Sequence, residues 1–202
     1  SGVQNSVIAL ANVVVQSNIN SFGKAAMAGC GSYSKLEGFV FLPVTCFTQA
    51  LSTFVGQNLG AGKHERVKKG VGFGIACCCI LSELIGICCY FLAPQLIGFF
   101  SETQQAIDFG VSHMRTICLF YFLLAFSHCI ASIMRGAGKA TVPMFTMLGC
   151  WCLFRVTYIT IAVKYVNQLT TVSWAYPITW TLSSIVFLIY FLKADWIHNF
   201  DR

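Results

Sequence analysis

The sequence predicts an all-α polytopic membrane protein, a bundle of six transmembrane helices, on three observations. Of 202 residues, 56% are hydrophobic and only 10% are charged, with a mean hydropathy of +0.71. A soluble domain carries about 25% charged residues, so this chain lacks the polar groups to cover its own surface. Its apolar residues gather into runs of about 20, the length of helix that crosses the hydrocarbon core. They show no alternation over segments of about ten residues, as a transmembrane β-barrel would. Helices remain, because every backbone amide in lipid has to be bonded within its own segment.

The runs fall at about 3–22, 36–59, 71–93, 112–134, 142–163 and 171–192. The first has no charge but many amides. The second holds Glu37 near its start, and the third Glu83, with Pro94 expected to end the helix because proline removes a backbone donor and clashes with the preceding turn. The fourth is followed by Arg135. The fifth contains Arg155, expected to snorkel or to pair with a carboxylate such as Glu83, and the sixth has no charge at all. Pro43 and Pro177 mark expected bends within spans.

The net charge of +6 would suggest nucleic acid on a soluble face. Here the charge lies between apolar runs, so the expected partner is membrane lipid and no nucleic acid. Of the eleven cysteines, nine lie in apolar stretches, and none forms a CxxC pair or a Cys/His cluster. They read as packing residues, with no metal and no bound cofactor implied. Paired acids and a nucleophile beside a base are also missing, so no catalytic residue is assigned and no enzyme is expected. Residue 1 is serine with no signal peptide ahead of the first run, and the chain reads as part of something longer.

The tetrapeptide "GAGK" occurs at 60–63 and again at 136–139, two spans apart, which puts both copies on one side. If that side is cytosolic, the inner segments hold Lys63, Arg66, Lys68, Lys69, Arg135, Lys139, Lys193 and Arg202, and the outer ones only Lys24, Lys35 and Lys164. This asymmetry obeys the positive-inside rule and places residue 1 and the C-terminus in the cytosol of a plasma-membrane protein. The first loop fails the phosphate-binding motifs: Gln57 and His64 stand where a Walker A sequence needs Gly and Ser or Thr, and Glu65 stands where G-x-G-x-x-G needs its third glycine. A tight turn is the reading.

"LPVTCFTQALST" running into "FVGQNLGAGKHERVKKG", then "RGAGKATVPM" at 135–144, resembles the multidrug and toxic compound extrusion (MATE) family. "NSVIALANVVVQSNINSFG" and "FLAPQLIGFFSE" fit it too, in the family's order. The match is to the family's second half, its seventh to twelfth helices. The resemblance implies one lobe of a twelve-helix transporter, joined in the same chain to a missing N-terminal six-helix bundle. It implies export of small organic compounds, cations above all, in exchange for H+ or Na+ by alternating access. Two rivals stand beside it: a lipid-linked saccharide flippase of the same superfamily, and a non-transporting membrane fragment.

Polar side chains in lipid are costly and therefore candidates for function. At 100° per residue, Asn5, Asn12, Gln16 and Asn20 share one sector of the first span, and Thr45, Thr48, Gln49, Ser52 and Gly56 form a stripe on the second. The stripes either face a common aqueous cavity or bond across helix contacts. Glu37, Glu83 and His128 complete the candidate pathway, the carboxylates for ion coupling and His128 for titration near neutral pH. Glu37 is otherwise a solvated residue at a helix start. Some members of the family hold acidic cation ligands in the seventh and tenth helices. Here the seventh has only amides and the tenth offers His113, Arg115 and His128, with no carboxylate beyond Asp108 at its outer margin, a departure that favours the proton or coupling through the missing first half.

Overall fold

A computed structural model describes residues 2–194 and 196–197, with residues 2–5 and 7 described through their backbone alone. The described chain is helical: α1 (Gly2–Asn20), α2 (Lys24–Gly60), α3 (His64–Gly98), α4 (Gln104–Cys118), α5 (Tyr121–Gly136), α6 (Thr141–Tyr165) and α7 (Leu169–Lys193). Four of these, α2, α3, α6 and α7, are long and apolar enough to cross a membrane. The pair α4 and α5, bent by 55° at a short break, meets the same measure together. Helix α1 lies beside them with its hydropathy lowered by its amides.

The helices depart from the expected spans in three places. Helix α2 begins at Lys24, not near residue 36, and its 37 residues make a rod of about 55 Å, well beyond the ~30 Å hydrocarbon core. Glu37 therefore stands deep inside a helix and not at its start. Helix α3 runs through Pro94 to Gly98, so the proline does not end it. Proline leaves the carbonyl four residues earlier without its helical donor, and the Arg115 Nε–H bonds that carbonyl, Tyr90 O, at 3.2 Å. Third, 112–134 is not one helix but breaks at Leu119–Phe120. No side chain caps α5 from its own N-cap. Glu83 on α3 does so instead, its Oε2 accepting the Phe122 N–H at 3.2 Å.

The two GAGK sequences close helices in the same way. Gly62 and Gly138 take left-handed φ values of 67° and 74°, a region that favours glycine. The Lys63 N–H bonds Asn58 O and the Lys139 N–H bonds Met134 O, each at 2.8 Å. This is the Schellman arrangement, which satisfies helix-end carbonyls. The two turns lie at one end of the bundle, since Gly136 packs against the α2 backbone at Ser52 and Gly56.

Side-chain packing holds the helices together, because lipid offers no hydrophobic drive for helices to associate. Helices α2 and α4 meet through Gly29 and Gly110. A Cβ on Gly110 would stand 2.8 Å from the Gly29 carbonyl oxygen. Val55, Val71 and Ile130 fill the region between α2, α3 and α5. Tyr33, Ile97, Met114 and Trp180 fill a second region, and Val15, Ile19, Ile159 and Val172 tie α1 to α6 and α7. Seven of the cysteines are buried as free thiols in this packing.

Candidate functional site

A cavity of about 420 Å³ opens where α1, α2, α6 and α7 face one another, within the range of small-molecule sites. Helix α1 contributes Asn12 and Gln16, α2 Ser34 and Glu37, α6 Trp151 and Arg155, and α7 Tyr176 and Trp180. Asn12, Gln16 and Asn20 lie on the exposed side of α1, and Ala11, Val15 and Ile19 pack inward. The period of the first span thus decides what the cavity sees.

Two opposite charges share the cavity wall. Glu37 Oε1 accepts the Tyr33 hydroxyl at 3.1 Å, and Tyr33 is itself buried and 3.2 Å from the Tyr121 hydroxyl. Arg155 is 2% exposed. Its guanidinium lies between two rings, 5.2 Å from Trp151 and 4.7 Å from Tyr176, a cation–π sandwich. Its Nε–H reaches Thr179 Oγ1 at 3.5 Å. Among the described residues no carboxylate comes within the 4.0 Å of an ion pair with it. Arg155 neither snorkels nor meets Glu83, whose carboxylate is occupied at the start of α5.

Of the eleven candidates from the sequence, Asn12, Gln16 and Glu37 line this cavity. Asn20 sits one turn beyond, accepting the Gln16 Nε2–H at 2.9 Å. Asn5 lies in α1 with its side chain outside the described residues. The stripe on the second span goes elsewhere. Thr45 and Thr48 bond carbonyls of their own helix, Phe41 O and Thr45 O. The Ser132 hydroxyl of α5 donates to Thr48 O. Ser52 meets Gly136 through its backbone, and Gln49 is exposed. His128 stands behind the cavity, edge-on to Phe41 at 5.0 Å and to Trp151 at 5.2 Å.

The aromatic walls went unread in the sequence, as did the placement of Arg155 on the cavity. A signal was present: Trp151 and Arg155 on one helix, Tyr176 and Trp180 on the next, each pair four residues apart and so on one helical face. What the spacing did not reveal is that Leu148–Phe154 winds as a π-helix, a form often found at functional sites.

The family model described as MatE matches residues 1–161. The chain is 24% identical over 153 residues to the probable multidrug resistance protein YpnP of Bacillus subtilis, covering 75% of this chain and 34% of that protein. It is 27% identical over 176 residues to the probable multidrug resistance protein NorM of Thermotoga maritima, covering 86% and 38%. The chain thus spans about a third of the length of these relatives. In fold it is similar to a MOP superfamily transporter from Pyrococcus furiosus, with a TM-score of 0.87 at 16% identity over 94% of this chain and 42% of that one.

Proposed function

This chain belongs to the MatE family, a family of membrane transporters and not of enzymes, and from that premise we propose that it forms one lobe of an antiporter. The antiporter exports organic compounds in exchange for protons or sodium by alternating access. The supporting observation is the cavity itself: a carboxylate and amides gathered on one open face of an otherwise apolar bundle. Ionisable groups at such depth mark ion and substrate pathways. Glu37 attracts a cationic group when charged and releases it when protonated, so a proton from the far side displaces the substrate. The proton is favoured over sodium because, among the described residues, Glu37 is the one acidic residue in the lining, whereas a hard cation needs several oxygen ligands.

A second six-helix bundle, N-terminal in the same chain, supplies the opposite wall of the pathway. The end that carries both GAGK turns faces the cytosol of the plasma membrane, with residue 1 and the C-terminus on that side. The flippase reading gains one cationic residue in the cavity, Arg155. A phosphate-bearing lipid would want several, and among the described residues the lining holds no other Lys or Arg.

The test is reconstitution of the full-length protein in liposomes with an imposed pH gradient, following accumulation of ethidium by fluorescence. Accumulation should collapse when the gradient is discharged and should be lost in Glu37→Gln. Transport indifferent to both would sink the proposal.

A further inference from the structure

Antiport of a cation at Glu37 leaves Arg155 unused. The guanidinium is 2% exposed and sandwiched between Trp151 and Tyr176. The sandwich acts on its faces and satisfies none of its in-plane N–H donors. Nε reaches Thr179 at the limit of a hydrogen bond, and Nη2 has no partner. An arginine buried in a membrane protein normally pairs with a carboxylate or a backbone carbonyl; among the described residues no carboxylate is within ion-pair distance, and Glu37, on the wall of the same cavity, acts on the guanidinium only through space. Two further groups of the same wall are in the same state: the indole nitrogens of Trp151 and Trp180 are buried without an acceptor. All three orphan groups are donors, and the one acidic group of the lining among the described residues already takes the Tyr33 hydroxyl.

We infer that Arg155 is an anion subsite, and that the cavity selects organic compounds carrying an acidic group beside their cationic one. This rests on the reading of the cavity as the substrate site. The acidic group pairs with the guanidinium, whose planar fork matches a carboxylate. The cationic group goes to Glu37, where it competes with the coupling proton, and the ring system lies along Trp151, Tyr176 and Trp180. The fixed charge of Arg155 does not titrate, so it holds one end of the substrate through the cycle while the proton acts on the other.

The experiment is calorimetric binding to the full-length protein in detergent, with two matched probes: 9-aminoacridine, a cation, and 9-aminoacridine-4-carboxylate, which adds the acidic group. The carboxylate should improve wild-type affinity by about tenfold, the gain of one well-made charged pair. Arg155→Gln should remove that gain, so that the two probes bind with the same affinity as each other. Arg155→Lys, which keeps the charge and loses the fork, should keep part of it, and it carries the test if the glutamine variant does not fold. Glu37→Gln should weaken both probes. If Arg155→Gln leaves the preference intact, or weakens both probes equally, the anion subsite is wrong; loss of binding in Glu37→Gln would then show the cavity reading still standing. If neither Arg155 nor Glu37 variants change either affinity, both readings fall.

Discussion

Glu83 and Glu37 are both carboxylates within apolar helices, and the structure puts them to opposite uses. Glu83 on α3 is consumed locally: it caps α5 at the bend that follows α4, taking the Phe122 N–H at the positive end of that helix. Glu37 on α2 has a phenol for a neighbour and a cavity in front of it. The cost of a carboxylate in a membrane marks both residues as exceptional but does not separate them. What separates them is whether a helix terminus comes within hydrogen-bond reach, and only the break at Leu119–Phe120 brings one to Glu83.

Removing the frame that both carboxylates share should have the largest effect. Gly110→Leu drives a side chain into the Gly29 backbone, and overpacking of this kind costs about 3 kcal/mol. Folded protein recovered from membranes, followed by size-exclusion chromatography, should fall steeply. Glu37→Gln should cut proton-driven export by about tenfold or more, the equivalent of about 1.4 kcal/mol, and leave the melting temperature of the purified protein where it was. Glu83→Ala should do the reverse, losing about 1 kcal/mol of stability with its cap while each folded molecule transports at the normal rate. If Glu83→Ala abolishes export in well-folded protein, the contrast between the two residues is mistaken. Gln49→Ala, at an exposed position of the stripe outside the cavity, should change stability by less than about 0.5 kcal/mol and export not at all.

The helical class and the paired GAGK turns were legible because they rest on composition and on glycine chemistry, which act locally. The stripe of α1 was legible for a similar reason: its period set Asn12 and Gln16 on one face and Val15 and Ile19 on the other. The stripe of α2 looked the same in sequence and came to a different end. Thr45 and Thr48 hydroxyls find carbonyls one turn back, and α5 lies over them through Ser132, a fact held 84 positions away. Arg155 misled for a similar reason. A lone arginine in a span suggests an escape to the headgroups or a carboxylate, and the two rings that hold it come from its own helix and from the next one. Pro94 shows the same limit, since the donor that rescues its freed carbonyl, Arg115, lies on α4.

The π-helical turn in α6 has a consequence for how such a site changes over time. A π turn accommodates about one residue more than an α turn, so α6 carries slack between Leu148 and Phe154. Deleting a single residue there would let Thr141–Met147 and Ile159 keep their places in the bundle. The same deletion would alter the angle between Trp151 and Arg155. The length of this segment, with no substitution anywhere in the lining, is thus a variable on which substrate preference can turn. Relatives that lack the ring-held arginine are expected to show a one-residue gap here when their sequences are laid beside this one.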